Sequence, residues 1–159
     1  MGQQQLLLVI LVTIIVGIAT VVAINTFGAA ADSANLDAVR QDVAQIAAAA
    51  QGYYMKPRML GGGGRSFEGI TFNEFAFAAT VINDDGDQAC NENGKYIISG
   101  ESDLEFTITA HPSSATTGQC LGTTLPDNAD AEFVGTATVF PNNATPLAFG
   151  ETPTELEDD

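Results

Sequence analysis

LLLVILVTIIVGIATVVAI, residues 6–24, carries no charge, and only Thr13, Gly17 and Thr20 interrupt its hydrophobicity. As a helix rising about 1.5 Å per residue it is about 28 Å long, close to the hydrocarbon thickness of a bilayer. The run does not stop at a charged flank. It passes through Asn25-Thr26-Phe27-Gly28-Ala29-Ala30-Ala31 into a second pattern, with apolar residues at Leu36, Val39, Val43, Ile46, Ala50 and Tyr53. Spacings of three and four put these on one helix face, with Asp37, Gln41, Asp42, Gln45 and Gln51 on the other side. The pattern predicts one long helix to about Tyr54, apolar and then amphipathic, roughly 78 Å if unbroken. Asp32 or Ser33 can cap a restart if Gly28 breaks it. A helix with one apolar stripe needs a surface to lie on, either its own C-terminal domain or neighbouring copies.

The chain has 159 residues with a formal net charge of −15, from 5 basic and 20 acidic side chains. Every acidic residue lies at or after Asp32, so the charge belongs to the polar part. Such a surface repels nucleic acid and anionic headgroups and favours solubility. Cys90 and Cys120 are the two cysteines. In an exported domain they suggest one disulfide closing a loop of about 30 residues, worth roughly 3 kcal/mol by chain entropy. Two buried thiols are the alternative. With no CxxC or Cys/His cluster, a structural zinc site has no ligands.

Three readings of the N-terminus compete. A cleaved secretory signal would use Ala29-Ala30-Ala31 as its small-residue site, but residues 1–5 carry no Lys or Arg and the apolar run exceeds a typical signal core. A permanent single-span anchor fits the length, yet no basic cluster flanks either end to fix orientation. The third is a segment that waits in the membrane and then packs into a helical filament core. Gly17 suits that, because a mid-helix glycine leaves the backbone open to close approach.

Met55-Lys56-Pro57-Arg58 ends the helix, since proline disfavours helix for the residue before it. Gly61-Gly62-Gly63-Gly64 follows as a loop, and no GK[ST] accompanies it to make a nucleotide cradle. Lys56, Arg58 and Arg65 cluster around these glycines and are expected to pair with carboxylates within or between subunits. Strands are expected at Ile70–Phe75 and Ala76–Ile82, at Lys95–Ser99, Leu104–Ala110 and Glu132–Phe140, and weakly at Leu147–Phe149. They would form an antiparallel sheet of four or five strands over the amphipathic half of the helix. The fold class is then α+β. The divisions are residues 1–54 for the helix (1–27 apolar core, 28–54 amphipathic), 55–66 for the basic Gly-rich loop, 67–150 for the sheet domain and 151–159 for an acidic solvated tail.

Asp84, Asp85 and Asp87 around Gly86 are the one cluster resembling a calcium site. The final glutamate of an EF-hand loop is missing, so an acidic hairpin turn is expected instead and no cofactor is assigned. Asn143-Ala144-Thr145 is a short sequon followed by Pro146. His111 precedes Pro112 and is read as a surface histidine in a loop. No spacing links it to a nucleophile, so no catalytic set emerges and the chain is not expected to be an enzyme.

The N-terminus resembles type IV pilins and pseudopilins, carried by the apolar run and its amphipathic continuation to Tyr54. The resemblance implies removal of a short leader by a prepilin peptidase and methylation of the new terminal amine. Met1 would stand at the mature first position. Gln5 stands where the family has glutamate, and being neutral it could hydrogen-bond a neighbour's amine without neutralising it. Val22 stands where the family has proline, leaving Gly17 or Gly28 to provide a melted segment. Leu6, Leu7, Leu8, Ile10, Leu11, Ile14, Ile15, Gly17, Ile18, Val21, Val22 and Ile24 would form the filament-core helix, and Cys90 and Cys120 the disulfide of the pilin-like domain. The implied partners are identical subunits in a helical homopolymer and an inner-membrane assembly machinery. The implied location is the inner membrane first and then an extracellular filament at the cell surface. A single-span surface protein displaying a small binding domain, without polymer, is the alternative.

Overall fold

The computed structural model describes residues 2–113 and 134–150. The chain divides into two compact units, Met1–Ala34 and Asn35–Asp159. One helix, α1 (Gly2–Met55), contributes to both. It passes Gly17 and Gly28 without a break, and each has open space where a Cβ would stand. No restart is capped at residues 32–33. Ser33 Oγ instead donates to the Ala29 carbonyl one turn back, 2.9 Å away, as a mid-helix serine does.

The second unit contains a sheet of β1 (Val81–Ile82), β2 (Gln88–Cys90), β3 (Gly94–Ser99), β4 (Phe106–Pro112), β5 (Val134–Phe140), β6 (Asn143–Ala144) and β7 (Ala148–Gly150). Every pairing is antiparallel and follows chain order from β1 to β6. β7 pairs with the start of β5 and β6 with its end, so the two share one edge. Among the described residues the sheet has seven strands rather than four or five. The α+β class holds.

Period-two alternation puts Tyr96 and Ile98 of β3, Phe106, Ile108 and Ala110 of β4, and Ala137 and Val139 of β5 on one face. These join Val39, Val43, Ile46, Ala47 and Ala50 of α1 in a single core. Fully burying each Val or Ile contributes about 1.5–3 kcal/mol. The stripe expected on the second half of the helix is therefore the face that the sheet covers, with Leu36 and Tyr53 half-buried at its ends.

Of the two strands expected at Ile70–Phe75 and Ala76–Ile82, only Val81–Ile82 forms, as β1, and residues 67–80 form none. Gly69 takes φ 71° and turns close from Phe67 to Ile70 and from Thr71 to Glu74. The segment plugs the core instead. Phe67, Ile70 and Phe72 are buried, Phe67 stacks between Tyr54 and Phe106 at centroid distances of 4.9 and 5.1 Å, and Phe77 meets Tyr96 edge-on at 5.4 Å. Its hydrophobicity is satisfied by ring packing, so no ladder is needed. β2 lacks a β-branched run and was not expected as a strand. It exists because it returns from the turn at residues 83–87 to pair with both β1 and β3.

Candidate functional site

In the first unit the apolar side chains have no cover. Leu6, Leu7, Leu8, Ile10, Leu11, Ile14, Ile15, Ile18, Val21, Val22 and Ile24 are each 49–69 % exposed. Taking this half-exposed surface out of water is worth on the order of 10 kcal/mol, comparable with the whole stability of a small domain. The polar groups among them turn inward. Thr13, Thr20 and Thr26 hydroxyls donate to the carbonyls of Ile10, Val16 and Val22, each at 2.8 Å. A helix satisfies its own backbone, and with the hydroxyls also engaged it presents little that lipid or an apolar partner would reject. By length and composition α1 is able to cross a membrane. Gln5 is exposed on this helix, and Met1 lies outside the described residues.

In the second unit polar contacts flank the apolar stripe. Asp42 Oδ2 accepts from Asn91 Nδ2 and Asn93 Nδ2 at 2.8 Å each and from the Tyr96 hydroxyl at 2.7 Å. Asn91 Oδ1 in turn accepts from the backbone N–H of Asn93 and Gly94, which shapes the β2–β3 turn. Asn35 Nδ2 donates to the Asn93 carbonyl and to Ser113 Oγ, both at 2.9 Å. Gln51 Nε2 reaches the carbonyls of Phe140 and Asn143 at 3.2 Å. Burial foremost, and then the hydrogen bond to Asp42 and its charge, push the Tyr96 hydroxyl pKa well above the ordinary tyrosine value. Asp42 and Gln51 were expected on the side of the helix away from the stripe. They sit instead at the margins of the stripe and fix how the helix lies on the sheet.

The loop after α1 closes the helix C-terminus. Gly63 and Arg65 N–H donate to the carbonyls of Tyr53 and Tyr54 at 2.9 Å, and Gly64 N–H to Lys56 at 3.0 Å, so the last carbonyls are not left open. A Cβ on Gly63 would lie 2.0 Å from the Ser66 carbonyl oxygen and 2.7 Å from the Tyr53 ring. Arg65 takes φ 72°, a left-handed conformation uncommon outside glycine. Arg58 Nε donates to the Gly63 carbonyl at 3.2 Å. Among the described residues Lys56, Arg58 and Arg65 form no ion pair within the chain, and the one ion pair is Arg40–Asp37 at 2.7 Å.

Asn83 to Asp87 form the turn between β1 and β2, the acidic hairpin turn expected from sequence. There Asn83 Nδ2 donates to Asp87 Oδ1 and Gly86 takes φ 76°. Among the described residues no group of three His, Cys, Asp or Glu side chains gathers as a metal site. Cys90 is buried and disulfide-bonded, and Cys120 lies outside the described residues, as does the 151–159 tail. His111 is neither in a loop nor on the surface. It is 4 % exposed within β4, opposite the buried Lys95 of β3, and among the described residues its Nδ1 has no hydrogen-bond partner. Strand pairing extends past Ala110 to Pro112, carrying His111 inward. Burial, and secondarily the Lys95 charge, hold its pKa below the ordinary histidine value. No protein-family model, curated protein or solved structure matches this chain.

Proposed function

We propose that the chain is a structural subunit of an extracellular type IV pilus-like filament, built by packing of N-terminal apolar helices. One observation carries the proposal: half of α1 exposes a continuous apolar surface, while the other half is anchored on a sheet with a disulfide-bonded strand. The apolar half resides in the inner membrane before assembly, and identical subunits then replace lipid with packed side chains. The contact is heterologous and helical, so the polymer stays open. A prepilin peptidase and an assembly machinery belong to the same proposal, as does an amine at Met1 meeting Gln5 of a neighbour.

Electron microscopy of sheared surface material tests it, with filaments expected. Gly17→Leu meets open space in the isolated subunit and gains helix propensity of about 0.8–1 kcal/mol, so it spares the monomer. It is expected to abolish filaments while membrane-bound protein persists, as is Leu8→Asp. Normal filaments from both variants would refute core packing. Membrane-bound protein with no filaments from the unaltered chain would favour the single-span display protein. Mass analysis of the mature N-terminus reads leader removal and methylation together.

A further inference from the structure

Two patches on the second unit are complementary in charge, and each exposes apolar side chains. The first is the loop after α1. Lys56, Arg58 and Arg65 are exposed there, and between them Met59 and Leu60 are 96 % and 66 % exposed. This display is built, because the loop backbone is tied to the helix end and packed against its glycines. The second patch is the β3–β4 turn. Leu104 is 61 % exposed there between the exposed Glu101 and Glu105. The turn is closed by Ser102 N–H on the Glu105 carbonyl at 2.9 Å. The patches adjoin, since Ser66 Oγ donates to Asp103 Oδ1 at 2.8 Å and Phe67 N–H to the Ser102 carbonyl at 3.2 Å. Yet the cations do not close onto these carboxylates within the chain.

We propose that the loop at residues 56–65 of one copy docks on the β3–β4 turn of a second copy. Met59 and Leu60 lie against Leu104, and the three cations face Glu101 and Glu105. A second copy is the occupant that the charges select. Copies carrying −15 each repel at long range, so association needs a local contact of opposite sign. Among the described residues the other two cations are engaged or enclosed: Arg40 pairs with Asp37 and Lys95 is buried. The proposal deepens the filament reading and rests on it for the existence of self-association. It adds which surfaces meet and what sets their register.

The test co-expresses two full-length chains with different tags, one carrying Met59→Cys and the other Leu104→Cys, followed by mild oxidation of intact cells. A covalent dimer bearing both tags is expected. Adding Lys56→Glu, Arg58→Glu and Arg65→Glu to the first chain should reduce it by about tenfold, and Glu101→Lys with Glu105→Lys in the second should restore it. Restoration separates a lost contact from a misfolded variant. Filaments without the mixed dimer, or a dimer indifferent to charge reversal, overturn this contact and leave the filament standing. A mixed dimer without filaments supports the contact and overturns the filament.

Discussion

Asp42→Ala removes the single oxygen on which three donors converge: Asn91 and Asn93 at 2.8 Å and the Tyr96 hydroxyl at 2.7 Å. Tyr96 is fully buried, so its hydroxyl proton would lose its acceptor, at about 1–3 kcal/mol. Asn91 and Asn93 are half-buried and can turn to water, losing about 0.5–1.5 kcal/mol each. The expected total is about 2–6 kcal/mol, a large share of the stability of a domain this size. Tyr96→Phe alone keeps the ring packing and should cost about 1–1.5 kcal/mol. The double variant should cost about 1–2 kcal/mol less than the sum, because no hydroxyl remains to lose its acceptor. Denaturant unfolding of the full chain in detergent, followed by tyrosine fluorescence, measures all three. The chain has no Trp and its three tyrosines lie in the second unit, so the signal reports that unit alone. An Asp42→Ala cost below about 0.5 kcal/mol, or strict additivity, would refute the clamp.

Acid should weaken the second unit through His111. Its folded pKa lies below the ordinary 6.5, so as pH falls past that value the unfolded chain takes up a proton that the folded chain does not, and stability drops. Unfolding midpoints between pH 7 and 5 should show the fall, and His111→Phe should flatten it. Gly63→Ala forces a Cβ into the Ser66 carbonyl and should cost about 2–3 kcal/mol, read as a lowered midpoint without change in helix content. Reduction with a thiol should cost roughly 3 kcal/mol of unfolding free energy, and a Cys90→Ser chain should be insensitive to the same treatment.

The amphipathic half of α1 was legible because a three-and-four spacing is satisfied by one secondary structure only, and Val39, Val43, Ile46 and Ala50 are buried as that spacing requires. β3 and β4 were legible from alternation. Residues 67–80 were not, because aromatic residues suit a strand and a core plug equally, and the choice is made by distant partners such as Phe106. Asp42 was invisible for a related reason. A carboxylate beside an apolar stripe reads as solvated until a turn some fifty positions later brings its donors. His111 was misplaced because a proline neighbour signals a loop, whereas here Pro112 ends a strand facing Gly94. The cation cluster was legible as a cluster, but its lack of ion pairs among the described residues was not.

The hydroxyls of Thr13, Thr20 and Thr26, folded back on their own helix, have one more consequence. A surface stripped of free donors and acceptors adheres strongly but chooses poorly. Apart from the notch at Gly17, little between Leu6 and Ile24 penalises a neighbour displaced by one turn. Any assembly built on such helices has affinity in plenty and must obtain its addressing elsewhere, from the polar unit at the other end of the same helix. In the proposed filament, adhesion and alignment are then encoded in different stretches of sequence, and each can be altered without rewriting the other.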